Sequence, residues 1–182
     1  AYLMDLEELA KASDYDATAN ASLMEACREV GGGTLKSIPY QPNVFAFFYN
    51  KAIFEEAGVV AVPTTWAELD AACQKIKDAG YTPIAASLIK EPHYWFEYSI
   101  YNHDTPATHV AVPEKVDDKV GKAWEAGIAD IKDVYEKGFF TENTNTCEAD
   151  EAFQGFLQDK AAFYVDGSWK MGGIRDNSDN ID

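Results

Sequence analysis

Two hydrophobic periods alternate along the chain. Residues 34–40 and 44–49 are rich in β-branched and aromatic side chains and predict two strands, separated by the turn signal Gln41-Pro42-Asn43. The second run ends on Asn50, a good cap for a helix over 51–57 that Gly58 stops. After Pro63, Thr65 with Glu68 three residues later forms a capping-box pattern. Trp66, Leu69, Cys73 and Ile76 then recur on one helical stripe, and Gly80 ends the run. Residues 82–87 predict a short buried strand. A longer helical pattern covers 116–137, with Val120, Trp124, Ile128, Ile131 and Tyr135 near one face, Trp124 in the core and Gly138 as its stop. A further helix over 148–158 carries Phe153, Phe156 and Leu157, and a strand over 161–165 follows.

Helices and strands alternate without a repeat or a low-complexity linker, which predicts an α/β fold: helices packed around a small sheet. The 182 residues are 47% hydrophobic, enough for one substantial core and too few for two large ones. The chain is therefore expected to be a single domain, or one lobe of something larger.

Charge narrows the function. Lys and Arg number 15 against 31 Asp and Glu, a formal charge of −16 that repels phosphate backbones and anionic membrane surfaces, so nucleic acid is excluded as a partner. No apolar run reaches the roughly eighteen residues of a membrane span. Residues 1–9 are acidic rather than basic-then-apolar, so a soluble chain without a signal segment is expected. Cys27, Cys73 and Cys147 are odd in number and far apart, which reads as free thiols rather than a disulfide framework or a zinc site. His93, His103 and His109 lack any metal spacing and read as loop or surface residues. Gly31-Gly32-Gly33 precedes a predicted strand and not a helix, so it is a turn rather than a phosphate cradle. No cofactor or metal is expected.

Two clusters carry chemistry. Glu91-Pro92-His93-Tyr94-Trp95-Phe96-Glu97-Tyr98 follows the predicted strand at 82–87, and Asp166-Gly167-Ser168-Trp169 follows the one at 161–165. Ligand sites of open α/β sheets form at such strand ends. A flat ring offers an apolar face to the C–H face of a pyranose, while a carboxylate accepts its O–H groups. Core packing accounts for any one of these rings. It does not account for the run from His93 to Tyr98, which has neither helical nor strand spacing and cannot all face inward.

Several short motifs, in order and over most of the chain, resemble the family 1 extracellular solute-binding proteins that deliver sugars to ABC importers. They are Tyr49-Asn50-Lys51, Phe54-Glu55-Glu56-Ala57-Gly58, Pro63-Thr64-Thr65-Trp66-Ala67-Glu68-Leu69, Glu91-Pro92 with its aromatics, and Phe153 through Asp159-Lys160-Ala161-Ala162 to Asp166-Gly167-Ser168-Trp169. The Glu-Pro-aromatic stretch is most similar to that of maltodextrin-binding members. The resemblance implies a type II periplasmic-binding-protein-like fold, with two lobes closing over a carbohydrate and docking on a transporter permease. It implies an extracellular, cell-surface-lipoprotein or periplasmic location, with membrane contact only through an anchor absent from these residues. The chain resembles the middle of such a protein, mostly the C-terminal lobe, with 34–45 near the hinge. Carried over by position, the implied ligand-binding residues are Asn43, Glu91, His93, Tyr94, Trp95, Asp166 and Trp169. His93 stands where maltodextrin binders carry an aromatic, and Trp95 where they carry a small polar residue, a departure from a linear-maltodextrin site.

Two other classes fit the same residues. Glu91, Glu97 and Asp166 could supply the carboxylate pair of a glycosidase if their loops converge. A lectin-like module could hold glycans without a transporter. No Ser-His-Asp order, nucleophile elbow or phosphate-binding loop is present, and the resemblance points to binding without chemistry.

Overall fold

The computed structural model describes residues 2–109 and 111–182, the side chains of Pro106 and His109 excepted, so the surface role expected of His109 lies outside the described residues. Contacts divide the chain into two compact units, residues 1–44 and 45–182, where the sequence reads as one body.

The first unit is helical: α1 (Glu7–Ala12), α2 (Tyr15–Thr18) and α3 (Ala21–Val30). Asn20 caps α3 by accepting from the Ser22 and Leu23 amides. Ala10, Met24 and Leu35 form a small core. Arg28 clamps the helices together through Glu7 at 2.8 Å and Asp16 at 2.5 Å. The strand expected at 34–40 is absent. Its backbone bonds to what lies nearby instead: the Leu6 amide donates to the Leu35 carbonyl, the Leu35 amide donates to the Glu7 carboxylate, and the Tyr15 hydroxyl donates to the Pro39 carbonyl. These bonds take the Leu35 amide and carbonyl and the Pro39 carbonyl out of any strand ladder. The glycine turn before it is real, with Gly32 and Gly33 at φ of +75° and +94°.

The second unit is built on β1 (Phe45–Tyr49), β2 (Thr82–Ala85) and β3 (Ala161–Gly167), in the order β1-β3-β2. β3 pairs antiparallel with β1, setting Phe45 opposite Gly167, and parallel with β2. Every residue of β3 is buried, as expected of a central strand covered on both faces. Phe163 and Val165 face one core with Phe54, Ile76, Trp95 and Phe140, and Tyr164 faces another with Phe48, Phe153, Phe156 and Ile174.

The helices follow the expected caps. α4 (Lys51–Glu56) starts at Asn50, which accepts from the Ile53 amide, and α5 (Trp66–Asp78) carries the complete Thr65–Glu68 capping box. Gly58, Gly80 and Gly138 sit at positive φ beyond helix ends, where a side chain would be strained. α6 (Pro92–His103) occupies the run read as irregular. Short α7 (Pro106–His109) follows it, then α8 (Lys119–Glu136), α9 (Ala149–Leu157), a 3-10 turn (Ser168–Lys170) and α10 (Met171–Asn177).

α8 buries a different face from the one its large apolar residues predict. Ile128 and Tyr135 are exposed and Trp124 is half-buried, while Gly121, Ala123, Gly127 and Val134 are buried. The reason is close approach to α6: a Cβ on Gly127 would stand 2.9 Å from Ser99 Oγ and 3.1 Å from the Ile100 amide nitrogen. Among the described residues, no helix is long and apolar enough to cross a membrane.

Candidate functional site

Helix geometry sorts the aromatic run of α6 into separate environments. Pro92 at the first turn sets the helix going, because its missing N–H is one that a first turn leaves unpaired anyway. Trp95 and Tyr98 turn to the sheet, with ring centroids 5.3 and 4.8 Å from Phe47, and Trp95 also meets Phe140 at 5.3 Å. Phe96 turns to α8 and meets Trp124 edge-on at 5.1 Å. His93 stays exposed, with its ring 4.1 Å from that of Tyr94.

Tyr94 is the link to the second cluster. Its ring lies 4.7 Å from Phe45, which stands 5.9 Å from Trp169 in an edge-to-face arrangement. His93, Tyr94, Phe45 and Trp169 therefore form one continuous row across the ends of α6, β1 and β3. Phe45 was not among the residues nominated from the sequence. Its signal was available, since it is the second residue of the strand predicted over 44–49, but which strand end it would face depends on the antiparallel β1–β3 register.

Trp169 is held by a glycine. A Cβ on Gly167 would lie 2.2 Å from both Cη2 and Cζ3 of the Trp169 ring and 2.4 Å from Cε3. The ring thus lies flat over the last residue of β3, with Phe45 at its flank, and 48% of the residue remains exposed. Phe45 is similarly open at 47%, whereas Tyr94 shows 8% of its surface.

Two acid groups neighbour this row, Asp166 from the opposite face of β3. Asp166 is fully buried, accepting from the Tyr164 hydroxyl at 2.6 Å and from the Gly167 amide at 2.6 Å, with the Lys170 ammonium 3.7 Å away. Burial, then the bond to Asp166, pushes the Tyr164 phenol well above its ordinary range. Glu91, half-buried at the head of α6, has its carboxyl raised first by burial and then by the Asp166 charge, with Lys170 and His93 pulling the other way. Tyr94 is raised by burial and by Asp166, Glu91 and Glu97.

Of the nominated residues, the fold brings Glu91, His93, Tyr94 and Trp169 to one rim. Three of the seven nominations, Tyr94, Trp95 and Asp166, are buried rather than open to a ligand. Trp95 is 2% exposed because helical rotation from Tyr94 carries it under the sheet, and Asp166 is sealed because β3 is central. Asn43 is exposed and belongs to the first unit. A separate cleft of about 440 Å³ opens beside Phe47, Tyr49, Trp66, Tyr98 and Tyr101, and no residue of the row lines it. Among the described residues, no group of three His, Cys, Asp or Glu side chains is placed to hold a metal ion.

Residues 1–181 match the family model described as bacterial extracellular solute-binding protein. The chain belongs to that family. A curated relative, the sn-glycerol-3-phosphate-binding periplasmic protein UgpB of Agrobacterium fabrum, is 44% identical over 50 residues, 26% of this chain and 12% of the relative. Among solved structures, a probable secreted solute-binding lipoprotein from Streptomyces coelicolor superposes with a TM-score of 0.78 at 18% identity, covering 99% of this chain and 46% of that one. A chitin oligosaccharide binding protein superposes at 0.72 with 23% identity, covering 98% and 45%. The chain thus spans about half the length of these solved structures, and they are type II periplasmic-binding-protein-like folds of which it is an incomplete part. The family and these neighbours are binding proteins rather than enzymes.

Proposed function

We propose that this solute-binding chain contributes one wall of a carbohydrate site, in a protein that delivers its ligand to an ABC importer from outside the cytoplasmic membrane. The observation that carries this reading is the half-exposed Trp169 ring, laid flat on Gly167 and continued by Phe45 and Tyr94. Such a row is a stacking platform for the apolar face of a sugar. Glu91 would accept ring hydroxyls at the rim, and His93 would extend the row. Trp95 and Asp166 would act from behind, the first packing under the helix that carries Tyr94 and the second fixing Tyr164 and Lys170. A chitin-oligosaccharide binder among the structural neighbours supports the ligand class.

Burial of Asp166 favours binding over hydrolysis. A glycosidase pair needs two carboxylates that reach the scissile bond, and Asp166 has none of its surface open. A ring covered over about half of its 150–250 Å² contributes on the order of 2–3 kcal/mol, and micromolar affinity needs about 8 kcal/mol net. One wall is therefore insufficient. Residues 1–182 alone are expected to bind sugar weakly or not at all, and calorimetry giving micromolar affinity for them would overturn that expectation.

The test of the reading is a thermal-shift screen of sugars on the full-length protein, followed by Trp169→Ala. The expected result is at least a tenfold loss of affinity with the melting temperature moved by only a few degrees. If the substitution instead mainly unfolds the protein, Trp169 is a packing residue and the platform reading fails.

A further inference from the structure

We infer that Lys170 is the positioning residue of the aromatic platform: from the far face of β3 its ammonium pairs with the Asp166 carboxylate, and that pairing holds the turn that lays the Trp169 ring on Gly167. The inference rests on the carbohydrate reading above and deepens it by naming the side chain that sets the ring. Side chains alternate along β3, so Phe163, Val165 and Gly167 share one face while Tyr164 and Asp166 share the other. Phe45 stands opposite Gly167 in the antiparallel register and flanks Trp169, which places the ring on the Phe163 face. Lys170 goes to the opposite one. Its ammonium lies 3.7 Å from Asp166, 3.8 Å from Asp150 and 4.4 Å from the centre of the Phe153 ring, which packs in the same core as Tyr164. Two consecutive residues thus straddle the end of the strand, the ring in front and the ammonium behind.

Three features make the rear contact the restraint on the ring. The segment Ser168–Lys170 is one 3-10 turn, closed by the Met171 amide donating to the Ser168 carbonyl, and so short a turn has little rigidity of its own. Asp166 is a fixed point, sealed from solvent and accepting from the Tyr164 hydroxyl and the Gly167 amide at 2.6 Å each. Its Oδ1 holds the backbone just before the turn, and its Oδ2 faces the ammonium at the end of it. The next apolar anchor along the chain is Ile174, beyond Gly172 and Gly173, which have no side chain to pack and add no stiffness. Removing the cation leaves a carboxylate unpaired in the interior, which the turn relieves only by moving to admit water.

The test uses the full-length protein and two readouts. Acrylamide quenching of the fluorescence that Trp169→Phe removes reports the ring, and calorimetry with maltotriose, raffinose and N,N′-diacetylchitobiose reports binding. Lys170→Met keeps an apolar stem on Phe153 and removes the charge. Quenching of the Trp169 component is expected to rise about twofold, and affinity for the best-bound probe to fall about fivefold. Lys170→Arg offers a guanidinium to both Asp166 and Phe153 and should bring both readouts back to within about twofold of the parent. In a Trp169→Ala background, Lys170→Met should cost less than about twofold more, the non-additivity of a residue that acts through the ring. Asp166→Asn/Lys170→Met leaves no charge unpaired inside, should loosen the ring in the same way, and serves where Lys170→Met alone fails to fold. Failure of both to fold shows that Lys170 holds the whole lobe rather than the ring, and overturns the inference. Unchanged quenching in a variant that folds, or affinity losses that add in the Trp169→Ala background, overturns it as well and leaves the sugar site standing. A loosened ring with unchanged affinity, or no probe bound by the parent, overturns the sugar reading and leaves the anchor standing.

Discussion

Gly167→Ala tests the platform at its least tolerant point. The added Cβ would stand 2.2 Å from two ring carbons of Trp169, where ordinary contact begins at about 3.4 Å, so something must move by more than 1 Å. The backbone cannot easily yield, because Gly167 is paired with Phe45 at the end of a buried strand. Nor is alanine strained there, since the residue has φ −84° and ψ 162°. The ring must therefore swing off the platform. Its departure uncovers about half of a roughly 200 Å² side chain, near 2.5 kcal/mol as an upper limit. Denatured-state compactness and recovered rotamer freedom bring this to about 1 kcal/mol of stability. Affinity should suffer more, falling about tenfold, as for Trp169→Ala. The decisive assay is the double-variant cycle on the full-length protein, with sugar affinity by calorimetry and Trp fluorescence as the local readout. If Gly167 acts only by supporting the ring, the double variant loses about tenfold and not a hundredfold, a coupling of about 1.4 kcal/mol. Additive losses, or an unchanged fluorescence spectrum in Gly167→Ala, would refute the support role.

Three further outcomes are expected. Tyr164→Phe removes the 2.6 Å bond to the sealed Asp166 carboxylate and should cost about 1.5–3 kcal/mol in urea unfolding; a loss under 0.5 kcal/mol would mean that Asp166 is held by its other partners. Glu91 has a raised folded-state pKa, so the stability it contributes is complete below the ordinary carboxylate range and is lost as pH rises through the raised value. Glu91→Gln should therefore stabilise the protein more at pH 7 than at pH 4, and unfolding curves showing the same change at both would contradict this. Burial pushes the Cys73 thiol up to about 12 and raises that of Cys147, whereas Cys27 is half-exposed, so iodoacetamide should label Cys27 in the native state and the other two only on unfolding, as read by peptide mass mapping.

Much of this protein is written locally. The Asn50 cap, the Thr65–Glu68 box and the glycines at 58, 80 and 138 mark helix ends by chemistry that acts within four or five residues, and each stands where the pattern places it. The rim is partly legible, as Glu91 through Tyr94 follow β2 and Ser168-Trp169 follow β3, although β3 itself runs past the predicted 161–165 to include Asp166 and Gly167. Other features required the fold. Residues 34–40 look like a strand, yet the Leu35 amide and carbonyl and the Pro39 carbonyl are taken by Glu7, Leu6 and Tyr15, which only the packed helices bring near. Large apolar residues point to one face of α8, but Gly121, Ala123 and Gly127 are buried, Gly127 because it permits the close approach of α6 and Gly121 because it lies against the Lys115 and Val116 carbonyls. Trp95 and Tyr94 are neighbours of similar chemistry, and a rotation of one helical residue sends one under the sheet and the other to the row with Phe45. The sequence by itself determined which residue types could recognise a sugar and where its helices stop. The tertiary structure decided which rings face outward, because strand register and helix rotation place side chains from distant segments, and neither is encoded within a single local window.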